Sequence, residues 1–84
     1  MASAPVFYYR NGCHLCEEMA AQLFRGWPDQ AGAMVWRDVD QRAEWRKAYG
    51  DLVPVLTQGG ETICSLKPDL GRIAQYFGEM VNPV

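Results

Sequence analysis

The stretch RNGCHLCE, residues 10–17, decides how this chain of 84 residues folds. It places two of the three cysteines, Cys13 and Cys16, directly after an apolar run and directly before a segment with helical periodicity. A Cys-x-x-Cys pair in this position can be a disulfide staple, part of a metal site or a reactive dithiol. The sequence around the pair indicates which of these uses applies.

The composition is that of one small globular domain, which we expect to span residues 1–84. Apolar residues make up 49% of the chain and charged residues 21%, a balance that excludes a disordered or low-complexity protein. The net charge of -2 is spread without a basic run, so we expect no nucleic-acid or membrane partner. No apolar leader or membrane-length segment is present, and we therefore expect a cytoplasmic protein. We also expect it to be a monomer.

The hydrophobic pattern predicts the element order β-α-β-α-β-β-α. Runs of β-branched and aromatic residues bounded by turn residues predict strands, and apolar residues at helical spacing predict helices. A strand, a crossover helix and a second strand form a parallel unit, to which a hairpin can add two antiparallel strands. We predict an α/β fold with a four-stranded mixed sheet and three helices. The strands are predicted at 5–9, 33–39, 53–57 and 61–64, and the helices at 14–25, from about 41 to 49, and at 69–77.

Turn and capping residues mark the predicted boundaries. Gly26-Trp27-Pro28 should stop the first helix, Asp40 should cap the second, and Gly50 should follow its last turn. The Gly59-Gly60 pair permits the positive φ values of a tight hairpin, and residues 80–84 should form a tail. The predicted core draws on apolar residues of all the elements: Val6, Phe7, Leu23, Val35, Val39, Val55, Leu56, Ile63, Leu70, Ile73 and Phe77.

The position of the cysteine pair favours thiol chemistry. Cys13 should be the N-cap of the first helix, where unpaired N–H groups and the helix dipole favour a thiolate, and Cys16 should lie one turn on. We therefore predict Cys13 as the nucleophile and Cys16 as the resolving thiol. A staple would be kept open in a reducing cytosol, and no second cysteine pair completes a zinc site. A metal site that also uses His14 and Cys64, and an inactive pair, are the alternatives.

The motif, the Val53-Pro54 pair that opens the third strand and the element order together resemble the thioredoxin superfamily, and the glutaredoxins most closely, over about residues 5–77. The Cys-His-Leu-Cys sequence is similar to that of small bacterial glutaredoxin-like proteins. The resemblance implies a thioredoxin-like fold, a redox-active disulfide, and a cis peptide bond at Val53-Pro54 beside Cys13. It also implies that the backbone of Val53 pairs with a thiol substrate.

The resemblance further implies a role for Arg10, three residues before Cys13, where many glutaredoxins carry a lysine that holds the glycine carboxylate of glutathione. An arginine fork suits a carboxylate and favours a nearby thiolate. The other interpretation of Arg10 is a solvated charge at the end of a strand. Glutathione is thus a candidate co-substrate, the expected partners are protein or low-molecular-weight disulfides, and no metal or organic cofactor is implied.

The sequence departs from the usual glutaredoxin pattern in three places. His14-Leu15 replaces Pro-Tyr between the cysteines, and Leu52 stands where a threonine is common. Cys64-Ser65 occupies the positions of a Gly-Gly pair that normally precedes an aspartate, here Asp69. Because glycine lets a ligand approach the backbone, the two side chains at 64 and 65 would obstruct glutathione.

Two side chains near the predicted site have two interpretations each. His14 could tune the thiolate and contact a substrate, or it could be an exposed spacer. Cys64 could be an additional thiol near the site, or a small buried apolar residue. The functional prediction is thiol–disulfide exchange by Cys13 and Cys16. The alternative is a binding module of the same fold that holds a metal or an iron–sulfur cluster, or docks a partner, without redox turnover.

Overall fold

Four short strands form one mixed sheet in the computed structural model, which describes residues 3–82. The elements in chain order are β1 Val6–Tyr9, α1 His14–Gly26, α2 Pro28–Gly32, β2 Val35–Asp38, a 3₁₀ turn Val39–Gln41, α3 Ala43–Tyr49, β3 Val55–Gln58, β4 Glu61–Ser65 and α4 Leu70–Phe77. The strand order is β2-β1-β3-β4, in which β1 is parallel to β2 and the other pairs are antiparallel. The predicted α/β thioredoxin-like fold with a four-stranded mixed sheet is confirmed.

Helix α1 packs its apolar face against the sheet and so fixes where the cysteine pair lies. Met19 and Leu23, four residues apart, are fully buried. Each such side chain stabilises the fold by roughly 1.5–3 kcal/mol. Glu17 in the first turn and Arg25 in the last turn complement the helix dipole. The start of α1 is thereby held beside the carboxyl end of β1.

The β3–β4 hairpin turns at Gly59-Gly60, as predicted. The φ values of these glycines are +60° and +82°. Glycine adopts this left-handed region easily because it has no Cβ that could clash with the backbone. The hairpin places β3 next to β1 and β4 at the far edge of the sheet. The chain segment just before β3 is therefore brought to the same end of the sheet as the start of α1.

Two apolar clusters lie on the two faces of the sheet. Phe7 and Tyr8 are neighbours on β1 and point to opposite faces, so each belongs to a different cluster. The Phe7 cluster consists of Phe7, Met19, Leu23, Trp27, Ala31, Met34, Leu56, Ile63, Cys64, Ile73 and Phe77. The Tyr8 cluster consists of Tyr8, Cys16, Val39, Val53 and Val55.

The core prediction is confirmed for most residues and wrong for one. Val35 is 43% exposed, because β2 is an edge strand and this face of it is left uncovered. Val6 and Leu70 are only partly buried and pack at the margins of the two clusters. Periodicity places a side chain on a face of a strand, but it does not tell whether that face is covered.

The segment after α1 forms a second helix that the sequence did not predict. Helix α1 ends at Gly26, as the Gly26-Trp27-Pro28 stretch predicted, and Pro28 then begins α2. Proline is favoured at the first helical position because its φ is preset and the N–H that it lacks would have no helical partner. Trp27, between the helices, is buried and donates its Nε1–H to the Gly78 carbonyl at 2.7 Å.

The predicted cap of α3 at Asp40 is wrong. Asp40 lies in the 3₁₀ turn, its own N–H donates to the Asp38 carboxylate at 2.9 Å, and α3 begins at Ala43 without a side-chain cap. Gly50 does follow α3, but its φ of -55° is right-handed. The position has no room for a larger residue, because a Cβ at residue 50 would clash with the carbonyl of Arg46.

The described part of the predicted tail, residues 80–82, runs back across the end of α1. The N–H of Val81 donates to the Gly26 carbonyl at 2.7 Å, and the Asn82 amide donates to the Arg25 carbonyl at 3.2 Å. Residues 83 and 84 lie outside the described residues. Within 3–82, none of the helices has the length and apolar character needed to cross a membrane.

Candidate active site

Cys13 is the N-cap of α1, as predicted. Its backbone is extended, with φ of -93° and ψ of 109°, and its Sγ accepts a hydrogen bond from the backbone N–H of Cys16 at 3.2 Å. Gly12 has a φ of +74°, which lets the chain turn from β1 into the helix. The Asn11 amide donates to the Asp38 carboxylate at 3.1 Å and ties this turn to the end of β2.

The two cysteines have different environments. Cys13 is partly exposed, whereas Cys16 is only 3% exposed and packs in the Tyr8 cluster. Burial, followed by a hydrogen bond between its side chain and that of Cys13, raises the pKa of the Cys16 thiol to about 12. A reagent from solution therefore meets Cys13, while Cys16 is held as a neutral thiol one helical turn away.

The peptide bond between Val53 and Pro54 is cis, as the resemblance implied. Pro54 is fully buried, and Val53 packs in the same cluster as Cys16, against which Cys13 also packs. Within residues 3–82, no backbone or side-chain group forms a hydrogen bond with the backbone of Val53. The structure thus brings Cys13, Cys16 and Val53 together at one end of the sheet.

Leu66, the residue after β4, is hydrogen-bonded to the segment that contains the Val53-Pro54 bond and has a left-handed backbone. Its φ is +67°, and its N–H donates to both the Leu52 carbonyl at 3.2 Å and the Pro54 carbonyl at 2.9 Å. A leucine in this conformation costs about 1–2 kcal/mol relative to a right-handed one. These hydrogen bonds hold the loop that carries Val53 against the end of β4.

Arg10 joins three parts of the chain at the end of β1. Its Nε and Nη2 donate to the Asp40 carboxylate at 2.9 and 3.2 Å, and its Nη1 donates to the Gly50 carbonyl at 3.1 Å. The hydrogen bond from Arg10 holds the pKa of the Asp40 carboxyl below its usual range, and the same contact raises the pKa of Arg10. The Arg10 side chain is partly exposed.

His14 and Cys64 lie apart from this junction. The His14 imidazole is 81% exposed and its Nε2 lies 3.0 Å from Oε1 of Glu18, one turn further along α1. Cys64 is buried in the Phe7 cluster, and burial raises the pKa of its thiol. The Tyr8 cluster contains Cys16, so Cys64 and the dithiol belong to different cores.

Two features of the site were not predicted from the sequence. One is the Asp38 and Asp40 pair, which anchors the turn before Cys13 and the guanidinium of Arg10. The other is a cleft of about 350 Å³ beside the start of α1, lined by Phe7, Tyr9, Arg10, Asn11, Gly12, Cys16, Glu17, Ala20 and Trp36. The alternation of Phe7 and Tyr9 on β1 signals a shared aromatic face, but nothing local places Trp36 against it.

Metal ligands are not clustered in the described part of the chain. Between residues 3 and 82, there is no group of three or more His, Cys, Asp or Glu side chains placed to hold a metal ion.

The fold and the cysteine pair define a class of protein. A helix that begins at a Cys-x-x-Cys motif, beside a cis-proline, on a β2-β1-β3-β4 sheet is the arrangement of a thioredoxin-like protein. Residues 6–78 match the family described as Glutaredoxin-like domain (DUF836), and the chain belongs to this family. The predicted resemblance to glutaredoxins is thereby confirmed.

Two solved structures are similar to this chain. The X-ray structure of a structural-genomics target protein from X. campestris is 31% identical, covers 87% of this chain and 93% of its own, and superposes with a TM-score of 0.70. The solution NMR structure of protein Ne2328 from Nitrosomonas europaea is 29% identical, with coverages of 92% and 93% and a TM-score of 0.72. No curated protein sequence matches the chain.

Proposed function

We propose that this protein is a thiol–disulfide oxidoreductase in which Cys13 is the nucleophile and Cys16 the resolving thiol. The observation that carries the proposal is the hydrogen bond from the Cys16 N–H to Sγ of Cys13 at the N-cap of α1. A hydrogen bond to the charged form of a group stabilises that form, so this donor favours the thiolate that attacks disulfides. The partial exposure of Cys13 and the burial of Cys16 support this division of roles.

The reaction has two exchange steps. The Cys13 thiolate attacks one sulfur of a substrate disulfide, the substrate S–S bond breaks, and the other substrate sulfur leaves as a thiolate. Cys16 then loses its proton and attacks Sγ of Cys13, which releases the second substrate thiol and closes a Cys13–Cys16 disulfide. Two electrons pass from the protein to the substrate. Two equivalents of an external thiol must return them and leave as a disulfide, and glutathione is our candidate.

The raised pKa of Cys16 fits the order of these steps. A neutral Cys16 does not compete with Cys13 for the incoming disulfide, and in the order that we propose it loses its proton once Cys13 is in a mixed disulfide. The Cys13 sulfur is then no longer a thiolate, so a charge on Cys16 is not opposed by a neighbouring one. We propose that the proton leaves with the departing substrate thiolate.

We propose that Val53, Pro54, Arg10 and His14 contact the substrate. The backbone of Val53, which has no hydrogen bond within residues 3–82, can pair with the backbone next to the substrate sulfur. The partly exposed guanidinium of Arg10 can bind a substrate carboxylate, and the exposed imidazole of His14 lies directly after Cys13. We place this chemistry in the cytoplasm, on protein or low-molecular-weight disulfides, and in a monomer without a resident metal or organic cofactor.

The experiment is a disulfide reductase assay with bis(2-hydroxyethyl) disulfide, run in parallel with glutathione and with a thioredoxin-type reductant. Wild type should turn over with at least one of the two reductants. Cys13→Ser should lose all activity above background, while Cys16→Ser should accumulate a mixed disulfide at Cys13 that mass spectrometry detects. Cys64→Ser is the matched control and should keep the wild-type rate.

Two results would contradict this function. Activity that survives in Cys13→Ser would remove Cys13 as the nucleophile. A wild-type protein that shows no reversible two-electron couple in a redox titration would not be an oxidoreductase. If such a protein were also purified anaerobically with stoichiometric zinc or iron, it would be the binding module that the sequence left as the alternative.

A further inference from the structure

We propose that the cleft beside α1 binds a large apolar side chain of a protein substrate, next to the substrate cysteine that reacts with Cys13. The inference rests on the proposed function and adds the class of substrate. The cleft has a volume of about 350 Å³, which is enough for one large side chain, and Cys16 and Gly12 of the dithiol turn form part of its lining.

The walls of the cleft are aromatic. The Trp36 ring packs edge-on against two rings of β1, and its centroid lies 4.9 Å from that of Phe7 and 5.6 Å from that of Tyr9. It also stacks on the ring of Phe24 in α1, with a centroid distance of 6.3 Å. Trp36 and Phe24 are 44% and 45% exposed. Large aromatic side chains left half-exposed beside a concave apolar surface are typical of a binding site.

The length of the apolar surface favours a polypeptide over a small disulfide. Cys16, Ala20 and Phe24 follow one another at intervals of four along α1 and so form one line. At 1.5 Å per residue, this line is about 12 Å long. An extended peptide covers that distance with about four residues, so a segment bound at Cys13 can lie along it.

The rim of the cleft carries one carboxylate, that of Glu17, without an ion-pair partner in the described part of the chain. Arg10 is paired with Asp40, while Glu17 forms no ion pair within residues 3–82 and is exposed. A substrate with a basic residue near its apolar one would place that charge opposite Glu17. The fitting substrate is therefore a polypeptide with a large apolar residue next to its reactive cysteine and a lysine or arginine next to that apolar residue.

Gly12 connects the cleft to the reactive sulfur. It lines the cleft and directly precedes Cys13, and a Cβ built on it would meet nothing within 4 Å. The residue next to the substrate cysteine can therefore cross Gly12 and enter the cleft while the cysteine is bonded to Sγ of Cys13. The opposite side of the substrate cysteine remains free to pair with the backbone of Val53.

The test compares peptide disulfides that differ in one residue. Ac-Gly-Lys-Phe-Cys-Gly-NH₂ and Ac-Gly-Cys-Phe-Lys-Gly-NH₂, each in a disulfide with 2-mercaptoethanol, are compared with peptides that carry Ser in place of Phe. In at least one order, we expect the Phe peptide to exceed the Ser peptide by about tenfold or more in kcat/KM, mainly through KM. Replacing Lys by Glu should lower kcat/KM, and Glu17→Gln should remove that difference.

Two variants test whether the preference for the Phe peptide depends on the cleft or on another part of the sheet. Trp36→Thr should reduce the Phe-to-Ser ratio below about threefold, and because the ratio is taken within one variant, a general loss of activity cancels. Val35→Thr changes the neighbouring half-exposed residue on the other face of β2 and should leave the ratio as in wild type. A Trp36→Thr protein that kept the Phe-to-Ser ratio of the wild type would overturn the proposal.

The proposal and the proposed function fail in different ways. If bis(2-hydroxyethyl) disulfide is turned over but the Phe-to-Ser ratio is near one in both orders, the oxidoreductase stands and the cleft proposal falls. If no disulfide is reduced, the unreactive peptides Ac-Gly-Lys-Phe-Ser-Gly-NH₂ and Ac-Gly-Ser-Phe-Lys-Gly-NH₂ still test the cleft by NMR. A shift of the Trp36 indole N–H that Trp27 and Trp45 do not show supports the cleft, and no shift overturns it.

Discussion

The backbone N–H of Cys16 points at Sγ of Cys13 across 3.2 Å, so the buried cysteine of the pair donates a hydrogen bond to the sulfur of the partly exposed one. Burial, followed by a hydrogen bond with the Cys13 side chain, raises the pKa of the Cys16 thiol. One helical turn therefore separates a partly exposed sulfur from a buried thiol that resists ionisation.

This asymmetry predicts selective alkylation. Because burial raises the pKa of the Cys16 thiol far above neutral pH, Cys16 should resist iodoacetamide at pH 7. We expect one equivalent of label on the reduced native protein, all of it on Cys13 by peptide mapping. Cys13→Ser should take almost no label in the native state, and unfolded protein should be labelled at all three cysteines. Labelling of Cys16 as fast as Cys13 would contradict the assignment.

We expect His14 to have little influence on the reactivity of Cys13. Its imidazole is mostly exposed and lies against Glu18, so water screens its charge from the sulfur. His14→Ala should change the rate of Cys13 alkylation by less than about twofold between pH 5 and 8. Glu18→Gln, which removes the partner of His14, is the matched control. A displaced midpoint of the alkylation profile in His14→Ala alone would show that the imidazole tunes the thiolate.

The Arg10–Asp40 pair predicts a pH-dependent part of the stability. Because Arg10 lowers the pKa of Asp40 in the folded state, the contribution is complete above the unfolded pKa of about 3.9 and is lost as the pH falls through the lower folded value. Asp40→Asn should therefore lower the melting temperature by a constant amount from pH 5 to 8, and the difference should shrink below about pH 4. Asp51→Asn, at a carboxylate that acts on Arg10 only over a distance, should have a smaller effect.

The measurement for this pair is thermal unfolding at several pH values, with and without added salt. Since both partners are partly exposed, salt should weaken the contribution. If the difference between wild type and Asp40→Asn grew on acidification, the pair would not be the source of the effect.

The left-handed backbone of Leu66 predicts an unusual order of stability for two substitutions. Glycine should be more stable than alanine at this position by about 1 kcal/mol, because alanine keeps the Cβ clash at positive φ and glycine does not. Leu52 is equally exposed but is not left-handed, so Leu52→Ala should be at least as stable as Leu52→Gly. Urea unfolding of the four variants gives the comparison. Equal stabilities of Leu66→Gly and Leu66→Ala would show that the backbone there carries no strain.

The sequence by itself determined the local parts of the site. The strand before Arg10, the N-cap position of Cys13 and the Gly59-Gly60 turn follow from hydrophobic periodicity and from the conformational preferences of a few residues. These are short-range properties, which is why they could be predicted. The cis bond at Val53-Pro54 is different: the residues alone favour trans, and the expectation came from the family resemblance.

Only the tertiary structure decided which distant residues meet. Arg10 contacts Asp40, 30 positions away, and Gly50, 40 positions away. Trp36 meets β1 and α1 only because β2 pairs with β1, and Val35 stays exposed because no further strand or helix covers that face of the edge. Such contacts depend on how the elements pack together, and no local pattern records that packing.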